Sequence, residues 1–214
     1  MNVEDLKKQI LTLSQFPHKE RKQNYQSYWL SGQGYQPGSR DTLYRYSVMN
    51  LPQFFTGLSI LDLGSQIGAM SIEAVRRGAS KVLGLEYEKD FLKCAIELAK
   101  YDQMDITYKE ADLKNLSVTI DTIHSFFGND TVDVVFALSL TKHVGVKQLH
   151  DILRNFRWKT CFIEGHNCNG DLNTPHCQDI FTNLVSQFSN TFLGFTEDRS
   201  IRPVWRLEKV VKRN

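Results

Sequence analysis

No apolar run in the 214 residues approaches the roughly 20 that a membrane-spanning helix needs, so no membrane partner is expected. Cysteine is scarce. The four present are too few and too scattered for a disulfide framework, and no Cys-x-x-Cys pair exists to suggest a redox or zinc motif. Cys94 falls inside a helical pattern and belongs in a core. Cys161, His166, Cys168, His176 and Cys177 bring thiols and imidazoles into one short segment, but their spacing departs from zinc-ligand patterns, and Cys161 sits in an apolar, strand-like run. No metal site is therefore expected. The amino terminus has Glu4 and Asp5 and no long apolar segment behind Lys7-Lys8, which argues against a secretion signal and for a cytoplasmic location. Internal repeats and low-complexity tracts are also missing.

What remains is ordinary globular composition, 41% hydrophobic and 23% charged, in a length that suits one domain with a modest cap. The net charge of +2 is unevenly spread. Residues 1–50 hold seven Lys/Arg against four Asp/Glu, and residues 199–214 hold six against one, so the middle of the chain is acidic. Basic ends on an acidic body fit contact with an anionic polymer such as RNA, and they equally fit solvated termini, the simpler reading.

Val3, Leu6, Ile10 and Leu13 recur at helical spacing, so an amphipathic helix opens the chain. The Tyr-, Gln- and Gly-rich stretch that follows, with a turn at Pro37-Gly38, completes a cap over residues 1–50. Residues 51–214 then alternate strand and helix patterns. Strands are expected at 58–63, 81–87, 106–109, 132–138 and 160–164, and helices at 68–77, 90–100, 146–155 and 178–189. Such alternation requires a parallel sheet covered on both faces. Two further strands, 191–195 and 203–210, are joined by a loop too short for a crossover and should pair antiparallel. The expected fold is α/β: a three-layer Rossmann-like sandwich on a mostly parallel seven-stranded sheet, with a carboxyl-terminal antiparallel hairpin and a small amino-terminal helical cap.

The most informative stretch is Ser59-Ile-Leu-Asp-Leu-Gly-Ser-Gln-Ile-Gly-Ala-Met-Ser71, where an apolar strand runs into a glycine turn and then a helix. With Asp62, Gly64 and Gly68 so placed, it resembles the first motif of the class I S-adenosylmethionine-dependent methyltransferases, and the terminal hairpin matches that family's topology. The family usually has a glycine where Gln66 stands. Glu86, 22 residues after Gly64, ends the second strand where a carboxylate can accept from both ribose hydroxyls of an adenosine. Asp112 follows the third strand, where the family places an acid near the adenine amino group. The resemblance implies S-adenosylmethionine as cofactor, with Ser65 and Gln66 in the turn, Tyr87, Ala111, and Leu138 and Ser139 at the end of the fourth strand completing its site. A nicotinamide dinucleotide is the competing ligand, but its fingerprint puts a glycine at position 66 for close approach of the pyrophosphate.

His143 and His166 follow the fourth and fifth strands and are the candidate general bases, with Lys142 beside them as a partner for an anionic substrate. His18, His124, His150 and His176 lack a strand-end position and read as surface or packing residues. In the cap, Tyr35, Arg40, Asp41, Tyr44, Arg45 and Tyr46 lie close enough to the first strand to fold over the donor. Arg40, and after it Arg45, is the expected clamp on the donor's carboxylate. The implied reaction is methyl transfer to an oxygen or nitrogen nucleophile of a small-molecule acceptor. An RNA acceptor is the alternative, supported by the basic ends, the aromatic cap and the run Ser139-Leu-Thr-Lys142, which resembles a segment of the bicoid-interacting RNA 5′-phosphate methyltransferases. A non-catalytic donor-binding scaffold is the third reading, raised by Gln66.

Overall fold

The computed structural model describes residues 2–15 and 24–209. His18 and the Val210 end of the last expected strand lie outside the described residues. The chain opens with α1 (Val3–Gln15), whose buried Leu6 and Ile10 join Ile67, Ile72, Cys94 and Leu98 of the main domain in one apolar cluster. Four three-residue strands follow. β1 (Asn24–Gln26) pairs parallel with β4 (Gly38–Arg40), and β2 (Tyr28–Leu30) pairs antiparallel with β3 (Gly34–Gln36). A Cβ on Gly38 would lie 2.1 Å from the carbonyl carbon of Gln26, so this close approach requires glycine. Then comes α2 (Thr42–Val48), capped by the Asp41 carboxylate, which accepts from the N–H groups of Leu43 and Tyr44. The segment expected as a helical cap thus also carries two small sheets, whose strands are too short to show a period.

The main sheet contains β5 (Ser59–Leu63), β6 (Lys81–Glu86), β7 (Thr107–Glu110), β8 (Val132–Leu138), β9 (Trp158–Glu164), β10 (Ser189–Thr196) and β11 (Arg202–Glu208), in the spatial order β10-β11-β9-β8-β5-β6-β7. Neighbours from β9 through to β7 pair parallel, while β11 is antiparallel to both β9 and β10. The order reverses between β5 and β8. Successive side chains alternate faces: Leu61, Leu63, Leu83, Leu85, Val135 and Ala137 enter one core, and Ile60, Val82, Val134 and Phe136 enter the other. The helices α3 (Ala69–Arg76), α4 (Lys89–Tyr101), α5 (Leu116–Phe127), α6 (Thr141–Val144), α7 (Val146–Arg154) and α8 (Pro175–Asn183) link the strands.

Besides the four-residue α6, two elements of the main domain differ from the sequence expectation. Helix α5 was not anticipated, because Val118, Thr119, Ile120, Thr122 and Ile123 have modest helix propensity. Tertiary burial of Thr119, Ile123 and Phe127 and an Asn115 cap on the Val118 N–H hold it. The last helix, expected over 178–189, ends at Asn183, with one 3₁₀ turn over Val185–Gln187 before β10 begins at Ser189.

The cap is fastened to the sheet by charge. Glu164, the last residue of β9, is 0% exposed and accepts from Arg40 and Arg45 of the cap, from Ser139 after β8 and from Thr196 of β10, with Arg202 of β11 at 3.8 Å. Burial alone would raise the Glu164 pKa; Arg45 and Arg40, with the two hydroxyls, outweigh it and hold the carboxyl at about 2. Removing one partner of a buried ion pair leaves the others as uncompensated charge. Glu164→Ala is expected to cost about 3–5 kcal/mol in urea unfolding, and a loss below about 1 kcal/mol would show that the cluster does not fasten the cap.

Candidate active site

The turn between β5 and α3 is built around positions where backbone angles restrict the residue type. Gly64 (φ +68°) and Gly68 (φ +79°) are left-handed, and a Cβ on them would lie 2.5 Å from the Leu140 side chain and 2.0 Å from the Tyr108 hydroxyl. Gln66 also has a positive φ of 53°, rare for a residue with a side chain. Its N–H donates to Glu86 Oε2 at 2.7 Å, and the Glu88 N–H donates to Glu86 Oε1 at 2.8 Å. The carboxylate at the end of β6 is therefore fixed by backbone. Burial raises the Glu86 pKa, and the Glu88 and Gln66 amides offset part of that rise.

A cavity of about 800 Å³ opens at the carboxyl ends of β5, β6, β7, β8 and β9, where open parallel sheets bind ligands. Gly64 and Gln66 line it from the turn, Glu86 and Tyr87 from β6, Ala111 and Asp112 from beyond β7, and Leu138 and Ser139 from β8. His143 and His166 line it as well. The structure thus brings together ten of the residues expected from sequence.

The other expected residues, Arg45 apart, are placed elsewhere. Arg40 does not line the cavity; it is 1% exposed, with its guanidinium bonded to Glu164 and to Asp198 at 2.6 Å, which corrects its assignment as the donor clamp. Arg45 does line it, and its buried Nε has no hydrogen-bond partner. Asp62 is buried against α3, accepting from the Ser71 hydroxyl at 2.7 Å, and stands behind the turn. Ser65 and Gly68 shape the turn from outside the lining, and Lys142 is exposed on α6. Of the cap tyrosines, Tyr35 bonds Glu73, and Tyr46 is buried with its hydroxyl on the Met70 carbonyl at 2.8 Å. Neither reaches the cavity.

Sequence reasoning missed Tyr25 of β1, and Arg199 and Arg202 around the β10–β11 connection, all of which line the cavity. Arg199 stacks on Tyr25, with 4.9 Å from guanidinium to ring centroid. Nothing in the local sequence marks these residues, since only the fold of distant segments brings them over the strand ends.

His166 Nδ1 lies 3.1 Å from the Thr141 hydroxyl, which also lies 3.3 Å from His176 Nε2. Burial, with Arg202 and the neighbouring His143 and Lys142, pushes the His166 pKa down to about 3, so this imidazole is neutral and weakly basic at neutral pH. Burial likewise raises the Cys161 thiol within β9, and Cys168 Sγ donates to the Ile201 carbonyl. Among the described residues no group of three or more His, Cys, Asp or Glu side chains is arranged to hold a metal ion.

Asp62 gives a pH test of this architecture. Burial raises its pKa to about 7, against the opposing effects of the Ser71 hydrogen bond and Arg45. The folded state therefore keeps a proton that the unfolded chain releases near 3.8, and stability falls as pH rises between the two values, by up to about 4 kcal/mol. Asp62→Asn is expected to gain stability over the native chain progressively from pH 4 to 7 and then level off. A pH-independent difference would show that Asp62 titrates as an ordinary carboxyl.

Residues 60–158 match the family described as a methyltransferase domain. The chain is 32% identical over 99 residues to the mitochondrial ubiquinone biosynthesis O-methyltransferase of Dictyostelium discoideum, covering 45% of this chain and 31% of that protein. It is 30% identical over 82 residues to the ribosomal protein L11 methyltransferase of Dictyoglomus thermophilum, covering 38% of this chain and 27% of that one. The chain thus spans less than a third of the length of either relative. Among solved structures, the N-terminal domain of EvdMO1 with SAH bound superposes with a TM-score of 0.63 at 16% identity over 98% of both chains, which shows the shared fold. Its sheet order, its glycine turn and acid-ended strands, and the match of residues 60–158 to a methyltransferase domain agree with the resemblance to the class I S-adenosylmethionine-dependent methyltransferases.

Proposed function

We propose that the cavity binds S-adenosylmethionine and that the protein transfers its methyl group to an oxygen or nitrogen nucleophile of a small-molecule acceptor. The observation that carries this reading is Glu86: a carboxylate at the end of the second parallel strand, fixed by two backbone N–H groups and facing the cavity. The donor fits on a second count. Gln66 Oε1 and Arg45 Nε are buried polar atoms without partners on residues that line the cavity, an acceptor and a donor suited to the ammonium and carboxylate of an amino acid. When bound, the cofactor supplies a methyl group already activated on a sulfonium.

The protein's part is binding and orientation. Glu86 accepts from the ribose hydroxyls and Asp112 from the adenine amino group, while Leu138, Ser139, His143 and His166 line the cavity from the β8 and β9 ends. Holding two reactants in line in a site closed to water supplies much of the acceleration in such a transfer. The small-molecule acceptor is favoured over RNA because two of the three expected cap tyrosines are engaged within the fold. Tyr46 is buried and Tyr35 bonds Glu73, while Tyr44 is exposed but does not line the cavity.

Glu86→Ala leaves the ribose hydroxyls unpaired and is expected to weaken calorimetric binding of S-adenosylhomocysteine by about 1.5–3 kcal/mol. Unchanged affinity, or tighter binding of NADH, would sink the donor assignment. Transfer from labelled donor to a small-molecule extract, with none to RNA, is the expected outcome. Donor binding without transfer to either would support a scaffold.

The two histidines separate by the same assay. His166 protonates far below neutrality, so a rate midpoint in the ordinary histidine range cannot be its own. If the acceptor loses a proton during transfer, His143→Ala should lower turnover about 10²- to 10⁴-fold with donor affinity intact. Full turnover in both His143→Ala and His166→Ala would remove histidine base catalysis.

A further inference from the structure

The polar lining of the cavity is divided by sign. Glu86, Glu88 and Asp112, with Lys114 as the one base among them, stand at the ends of β6 and β7, whereas Arg45, Arg199 and Arg202 stand at the other end, beside β8, β9 and the β10–β11 connection. At that end four guanidinium groups, those of Arg40, Arg45, Arg199 and Arg202, face two carboxylates, those of Glu164 and Asp198, an excess of two positive charges. Glu197, the other acid of the connection, is exposed and makes no ion pair with any of the four. The donor does not balance this excess. S-adenosylmethionine carries one carboxylate against an ammonium and a sulfonium, so it arrives with a net positive charge of its own.

Of the three arginines on the cavity wall, Arg45 and Arg202 are held within the fold, and Arg199, which is exposed, rests on an aromatic ring. Arg202, its side chain 11% exposed, donates from Nη1 to the Ser139 hydroxyl and from Nε to the Ser200 hydroxyl at 2.7 Å. Arg199 lies across the Tyr25 ring and has no acidic partner among the described residues. Beside them, Arg45 is 2% exposed, and its Nε is without a partner on the same cavity wall. Guanidinium groups fixed in this way are pre-organised to bind the oxygens of an oxyacid.

We infer that the acceptor is itself an anion, with a carboxylate or phosphate group that Arg199 and Arg202 hold near His143 and His166 while the donor occupies the Glu86 end. This rests on the methyltransferase reading above and specifies its substrate class. Opposite charges on acceptor and donor draw the two together, and the field of the arginines steers the acceptor to the correct end of the cavity. The transfer itself balances simply: the acceptor atom's lone pair forms the new bond to the methyl carbon, and the pair of the broken carbon–sulfur bond stays on sulfur, which becomes neutral.

The test uses the full chain, labelled donor and a small-molecule extract split on an anion-exchange resin into retained and unretained fractions. Label is expected in the retained fraction only. Arg202→Gln and Arg199→Gln are each expected to raise the KM for that fraction about 10- to 100-fold, with kcat and S-adenosylhomocysteine affinity little changed. Transfer confined to the unretained fraction, or native KM in the double variant, overturns the anionic acceptor while leaving the methyltransferase reading intact. If the donor binds and neither fraction is labelled, the methyltransferase reading fails. The anion site is then decided by titrating the S-adenosylhomocysteine-loaded protein with inorganic phosphate and with acetate. Binding lost in the double variant supports the site, and its ligand preference separates phosphate from carboxylate; binding retained, or none in the native protein, overturns it.

Discussion

The site depends on one buried carboxylate. Glu164 ends β9 with no solvent exposure, and an ion moved from water into a protein interior loses several kcal/mol of solvation unless its oxygens are fully satisfied. Here satisfaction comes from four separate segments: Arg40 and Arg45 around the start of α2, Ser139 after β8, Thr196 in β10 and Arg202 in β11. Three of these segments, through Arg45, Ser139 and Arg202, line the cavity, so the requirement to pair one charge fixes the cap, the end of β8 and the start of β11 together. The arrangement explains why Arg40 is not free to meet a ligand: its charge offsets those of Glu164 and Asp198.

How far the fold could be read from sequence follows from how local its causes are. Strands β5, β6 and β8 are covered on both faces, which leaves continuous apolar runs that need no partner to be recognised. Positions at their ends inherit a location from the sheet alone, which is why Glu86, Asp112, Ser139, His143 and His166 all reach the cavity. Helix α5 was hidden because its residues prefer other conformations and only tertiary burial of Ile123 and Phe127 overrules them. The cap strands were hidden because three residues cannot show a period.

Side-chain partnerships were the least legible. Arg40 and Glu164 are 124 residues apart in the chain, and Arg40 and Asp198 are 158 apart, so no window of sequence contains either pair. The same limit applies to Tyr25, Arg199 and Arg202. A strand-end acid is recognisable by where the strand stops, but a basic residue on a connection acquires its role only when the connection folds over the cleft. Sequence therefore identified the end of the cavity built on the sheet and, Arg45 apart, missed the end built by the cap and the hairpin.

Gln66 shows how a departure from the family pattern can be consistent with the site. Holding a residue with a side chain in the left-handed region costs about 1–2 kcal/mol, and a glycine there would avoid it. The side chain occupies the cavity wall, and its unpartnered Oε1 is an acceptor. Phosphate oxygens are acceptors too, so this atom opposes a pyrophosphate at the turn and favours a group that donates. The ammonium of an amino acid is such a group, and the dinucleotide reading therefore loses on electrostatics as well as on space. A conformation that costs backbone strain is thereby suited to a cationic group at the position where the family usually has only glycine.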